Sequence, residues 1–84
     1  MTIPSSVEII GRAAFGACPN LKRVNLSEGL LVIGPEAFSR CISLETINFP
    51  KSLQEVYEYA FEGCDKLPKD ILPKELDPTG LAFG

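Results

Sequence analysis

Histidine and tryptophan are absent from these 84 residues, and methionine occurs once. Without His, the chain lacks the side chain that most often serves as a general base near neutral pH, and the commonest metal ligand. Without Trp, it lacks one of the usual interface anchors. There is no basic cluster either. Eight Lys and Arg face eleven Asp and Glu, a formal net charge of -3, which argues against nucleic acid or an anionic membrane as the main partner. No apolar run approaches the roughly 18–20 residues of a membrane span, and no Gly-rich phosphate cradle is present. The opening "MTIPSSVEII" has neither the basic n-region nor the apolar h-region of a secretory signal. The expectation is a cytosolic chain, or a piece of a longer protein whose targeting signal lies elsewhere.

What the chain does contain is itself, several times over. In blocks of 23, residues 3–25 read "IPSSVEIIGRAAFGACPNLKRVN", 26–48 "LSEGLLVIGPEAFSRCISLETIN" and 49–71 "FPKSLQEVYEYAFEGCDKLPKDI", and a fourth block, 72–84, is degenerate or cut short. Four columns are identical in the three complete blocks: Ala14/Ala37/Ala60, Phe15/Phe38/Phe61, Cys18/Cys41/Cys64 and Leu21/Leu44/Leu67. Three more stay apolar: Ile3/Leu26/Phe49/Leu72, Val7/Leu30/Leu53/Leu76 and Ile10/Ile33/Val56. The fourth block matches only if one residue is deleted before Phe83. A unit this short cannot bury its own apolar residues, so each must pack on its copy in the next unit.

Within a unit, Val24-x-Leu26 and Ile47-x-Phe49 alternate as a half-buried strand does. Val7-x-x-Ile10 and its copies suggest a second short extended or turning segment, and Gly11 and Gly34 permit a sharp bend after it. Pro35-Glu36-Ala37-Phe38 suits one helical turn with Pro at its first position. The expected fold is therefore an α/β solenoid. It is built of mainly parallel strands with a short helical turn per 23-residue coil, as one domain over residues 1–84 with coils at about 3–25, 26–48, 49–71 and 72–84.

The span "LKRVNLSEGLLVIGPEAFSRCISL", Leu21 to Leu44, resembles the leucine-rich repeat family. The match is to its 23-residue subclass, named after the BspA surface protein and the treponemal repeats. Ser27 stands where Pro is commoner, Tyr57 replaces the bend Gly, and Asp70 occupies the column of Val24 and Ile47. The resemblance implies a right-handed superhelix with a parallel strand ladder on its concave side. It also implies binding of other macromolecules, host or extracellular-matrix proteins among them, a cell-surface or secreted location, and no catalysis.

The residues themselves offer little chemistry. Tetrahedral thiolates need sulfurs roughly 3.8 Å apart around one ion, given metal–sulfur bonds of about 2.3 Å. Cysteines stacked on coils about 4.8 Å apart put the outer two about 10 Å apart. A disulfide between neighbours is sterically possible but leaves one of three cysteines over. The simplest reading is a ladder of small, buried, reduced side chains. Phe15, Phe38 and Phe61 read as a stacked core spine, and Glu55, Glu58 and Glu62 as a solvated face. No Cys or Ser has an evident activating partner. Hence no enzyme, no cofactor and no metal are expected.

The outward positions of the strand ladder are the candidate binding face. If 24, 26, 47, 49 and 72 point inward, the outward set is Arg23, Asn25, Ser27, Thr46, Asn48, Pro50, Lys69, Ile71 and Pro73, with Thr2 and Pro4 on the first rung. Arg23, Asn25, Ser27, Thr46, Asn48, Lys69 and Ile71 are its candidate contact residues. They vary from coil to coil, as a binding face permits. Asn25 and Asn48 have a competing role in hydrogen bonding across rungs, and "NLS" at Asn25 is read as a chance sequon. Three rungs give a face of roughly 200 Å², against about 800 Å² per partner in a stable interface. The function expected is thus a protein-interaction module within a longer array. The alternative is a structural or self-assembling segment whose open ends stack on other copies.

Overall fold

Apolar residues at every second position fold as strands with one buried face. The computed structural model describes residues 1–84 and contains six short strands: β1 (Thr2–Ile3), β2 (Ile9–Ile10), β3 (Arg23–Leu26), β4 (Val32–Ile33), β5 (Thr46–Ile47) and β6 (Glu55–Val56). They form two parallel three-stranded sheets, ordered β1-β3-β5 and β2-β4-β6. Thr2 lies opposite Asn25 and Arg23 opposite Thr46; in the second sheet Ile9 lies opposite Val32 and Val32 opposite Glu55. Every pairing joins residues one repeat apart, so each coil sits on the last without slippage.

The corner that follows the second sheet is not helical. A helical turn was expected at Pro35-Glu36-Ala37-Phe38, but Glu36 has φ +59°, on the left-handed side, as do Ala13 and Tyr59 in the same column. Four residues later Ala17, Arg40 and Gly63 do the same. The amides explain why. Along each corner, every second N–H bonds back three residues within its own coil: Ala37 to the Gly34 carbonyl, Ser39 to Glu36 and Cys41 to Phe38. The amides between them reach the next coil instead: Glu36 to the Glu58 carbonyl, Phe38 to Ala60 and Arg40 to Glu62. A helix would consume all of these donors along its own axis. The alternation instead makes the corner a third inter-coil ladder, at the cost of left-handed backbone that disfavours side chains by about 1–2 kcal/mol per residue.

Between the three ladders lies the core. Ala37, Phe38, Cys41 and Leu44 of the second coil are fully buried, as are Ala60 and Phe61 of the third. The phenylalanines stack, with ring centroids 5.4 Å apart for Phe15–Phe38, 5.5 Å for Phe38–Phe61 and 5.7 Å for Phe61–Phe83. Phe49 meets Phe61 edge-on at 6.0 Å. The first coil is looser: Phe15, Cys18 and Leu21 are only half-buried.

Phe83 joins the stack although its block is one residue short. Tyr59 donates to the Leu81 carbonyl in the register of the earlier coils, but Phe61 donates to Ala82. The missing residue therefore falls between Leu81 and Ala82, where the other coils place left-handed Ala13, Glu36 or Tyr59.

Both strand ladders stop at prolines. The Lys22 carbonyl accepts the amides of Glu45 and Thr46, but one repeat beyond Glu45 stands Pro68, which has no N–H to give to the Glu45 carbonyl. Likewise the Leu31 carbonyl accepts the amides of Gln54 and Glu55. Asp77 and Pro78 occupy the matching places in the fourth coil. The Asp77 amide turns back to the Lys74 carbonyl, and Pro78 has no N–H to donate. The fourth coil carries no strand.

Candidate interaction surface

The outward row of the first sheet is built by its pleat. Val24, Leu26 and Ile47 are buried, so Arg23, Asn25 and Thr46 between them are exposed. Thr2 and Asn25 lie side by side, as do Arg23 and Thr46. Asn48 and Lys69 are exposed, beyond the end of β5 and outside any strand respectively. Ser27 is half-buried, and its hydroxyl donates to the Ile3 carbonyl at 2.7 Å. Ile71 is half-buried and packs against the core, and Pro50, expected outward, is buried. The row brings Thr2, Arg23, Asn25 and Thr46 together; Lys69 lies one repeat beyond Thr46, past the last strand.

Asn48 has a bonding role of its own. Its side-chain amide donates to the Leu26 carbonyl at 2.8 Å, and its side-chain oxygen accepts the Leu26 N–H at 2.7 Å. The amide thus replaces a backbone rung where β5 has already ended. The bond across rungs runs to the backbone of Leu26 and not to Asn25. Asn48→Ala leaves two backbone groups of a half-enclosed site without partners, each costing about 1–3 kcal/mol if water cannot reach it. The expected outcome is a loss of about 1–3 kcal/mol in urea unfolding, whatever happens to binding; an unchanged midpoint would mean that water replaces both bonds. Arg23, Thr46 and Lys69 are therefore the cleaner probes of this face.

Two further brackets escape a reading by columns of apolar residues. The Glu28 carboxylate accepts the amides of Lys51 at 2.9 Å and Ser52 at 3.1 Å. The Ser52 hydroxyl accepts from the Gly29 amide at 2.9 Å and donates to the Leu30 carbonyl at 2.8 Å. Both tie the second coil to the third at the turn between the sheets. Their signal in the sequence is a capping-type acid or hydroxyl one repeat from a turn, which no apolar pattern reveals.

The cysteines are free thiols. The Cys41 thiol donates to the Phe15 carbonyl at 3.2 Å and the Cys64 thiol to the Phe38 carbonyl at 3.0 Å, each reaching one coil back. Burial is the main cause that raises the Cys41 pKa and pushes that of Cys64 up to about 12. The Cys18 thiol reaches only the Gly16 carbonyl of its own coil, at 3.9 Å, and is half-buried. The thiolate is the reactive form, so iodoacetamide at pH 8 is expected to label Cys18 first and the other two only as the chain unfolds. Equal labelling of Cys64 and Cys18 in the folded chain would contradict this. The folded pKa of Cys64 is raised, so its contribution to stability is complete below the unfolded value of about 9. That contribution declines as pH rises from there towards about 12.

Comparison with known proteins agrees with this architecture. The family model described as BspA type leucine rich repeat region (6 copies) matches residues 1–82. Among solved structures, a leucine-rich repeat protein of Treponema pallidum superposes with a TM-score of 0.81 and 31% identity over 90% of this chain. A leucine-rich cell surface protein of Faecalibacterium prausnitzii superposes with a TM-score of 0.75 and 27% identity, also over 90% of this chain. The chain spans 38% of the first of these proteins and 24% of the second. No curated protein sequence matches. With the repeat columns, the two parallel sheets and the family match in agreement over nearly every residue, the chain belongs to the BspA-type leucine-rich repeat family.

Proposed function

We propose that the chain is a non-catalytic protein-interaction module. In this reading its coils wind as a right-handed solenoid whose concave face is the first sheet, and that face contacts a protein partner at a cell surface. The observation that carries it is the contrast between the two faces of one pleat. Inward Ile3, Leu26 and Phe49, like Val24 and Ile47, stay apolar from coil to coil, whereas outward Arg23 gives way to Thr46 and Lys69, and Thr2 to Asn25, on a backbone held by inter-coil hydrogen bonds. A rigid frame with variable outward side chains is how repeat proteins carry recognition. The surface description of the Faecalibacterium protein supports the location.

The test is binding of immobilised extracellular-matrix protein by the chain and by Arg23→Glu, Thr46→Arg and Lys69→Glu. These exposed changes are expected to weaken binding while leaving the circular dichroism spectrum and urea midpoint unchanged. Equal binding by all three variants would remove the concave face from consideration.

A second reading rests on the half-buried Phe15, Cys18 and Leu21, whose copies in the second coil are fully buried. Here the module is a structural segment that stacks on neighbouring coils, and its sedimentation coefficient rises with concentration. A monomer at every concentration rejects stacking between copies.

A further inference from the structure

The second sheet ends in an open position, and beside it lies a groove of about 360 Å³ between β6 and residues 75–81. That volume is at the lower end of the roughly 300–1,000 Å³ of ligand pockets. The backbone at its edge lacks the partners found on earlier rungs. The Glu8 carbonyl accepts the amides of Leu31 and Val32, and the Leu31 carbonyl those of Gln54 and Glu55. The Gln54 carbonyl, next in that series, accepts nothing, for the two reasons that end the ladder: the Asp77 amide is turned away and Pro78 has none. The carbonyls of Ile10 and Ile33 accept the amides of Gly34 and Tyr57, but the Gly80 amide that would meet the Val56 carbonyl bonds to Asp77 instead. The Val56 N–H has no backbone partner either. These are three adjacent groups of one strand edge, spaced for another strand.

The lining adds a charge. Glu55, Glu58, Glu75 and Asp77 border the groove, and no Lys or Arg does. Tyr57 and Leu81, both substantially exposed, supply apolar surface beside Val56 and Leu76. Alternate residues of an added strand would meet the apolar floor and the carboxylate rim in turn.

We propose that this groove accepts an extended, lysine- or arginine-bearing segment of a partner protein as the next rung of the second sheet. The segment donates to the carbonyls of Gln54 and Val56 and accepts from the Val56 amide, while its cations face Glu55 and Glu75. The site is separate from the outward row of the first sheet and stands whether or not that row binds anything.

The experiment is fluorescence anisotropy with the full chain and three labelled peptides: alternating Lys-Val, alternating Glu-Val, and the Lys-Val sequence N-methylated at every second residue. Only the first is expected to bind well. N-methylation, which removes strand donors but keeps the charge, is expected to weaken it at least about tenfold. Glu55→Gln with Glu75→Gln, both solvent-exposed positions, is expected to weaken it about tenfold and reduce its salt dependence. Amide shifts on binding should centre on Val56. Equal binding of the N-methylated peptide would reduce the effect to charge alone and overturn the proposal. So would equal binding of the Glu-Val peptide, no binding, shifts confined to Arg23 and Thr46, or a second copy of the chain occupying the edge.

Discussion

Phe38→Ala is expected to cost about 3–5 kcal/mol, the range for removing a fully buried aromatic ring from a core. Phe38 is the middle ring of the stack, with Phe15 at 5.4 Å on one side and Phe61 at 5.5 Å on the other. Its removal opens a cavity that neither neighbour can fill without leaving its own coil. A domain of this size has only about 4–13 kcal/mol to lose. With a urea slope of about 1–1.5 kcal/mol per molar, the midpoint should fall by about 2–5 M, or the chain should be unfolded without denaturant. Phe15→Ala is the internal control. That ring is half-buried with one stacked neighbour, so its loss should cost clearly less. Equal losses at the two positions would show that the coils do not share one continuous core.

Gly29→Ala is expected to be nearly as severe, for a reason that no apolar count contains. Gly29 has φ +107°, and a Cβ there would sit 2.8 Å from the Ser5 carbonyl oxygen. The obstacle is backbone of the preceding coil, so it cannot rotate aside as a side chain would. Strained backbone of this kind costs about 1–3 kcal/mol and a forced displacement a similar amount. A total of about 2–6 kcal/mol follows, read as a lowered urea midpoint. The comparison is Gly11→Ala, where a Cβ meets nothing within 4 Å and the change should be neutral or slightly stabilising. If Gly29→Ala is also neutral, the close approach of the first two coils is absent in solution.

The core was legible because a residue that must face its own copy has to recur. Ala37, Phe38, Cys41 and Leu44 recur and are fully buried. The strands were legible from their alternation, although β5 is shorter than Ile47-x-Phe49 suggests, because Asn48 takes over the bond to Leu26. The helical turn expected at Pro35–Phe38 failed for a physical reason. Proline followed by an acid suits the first turn of a helix and equally a chain of three-residue turns, and only the destination of alternate amides separates the two. That destination lies on another coil, which no local window includes. The candidate face was legible as a set of outward positions, but the commitment of Asn48 to the Leu26 backbone was not. Pro68 and Pro78 stand in plain view in the strand columns, and reading those columns for missing N–H donors as well as for apolar side chains would have located the ends of both sheets.

The alternation of corner amides has a consequence for how the chain reaches this fold. Apart from turns closed over three residues, its backbone bonds join residues about one repeat apart. No segment shorter than about one repeat can therefore gain an inter-coil bond, and the first such bond carries the entropy of closing a loop of 23 residues or so. Each further coil closes another loop of similar length, but on a template of ladders that already exists. The kinetic nucleus is then a pair of adjacent coils. The tightly bracketed second and third coils, joined by Glu28 and Ser52, are the pair best equipped to form it, with the first and fourth condensing outward from them.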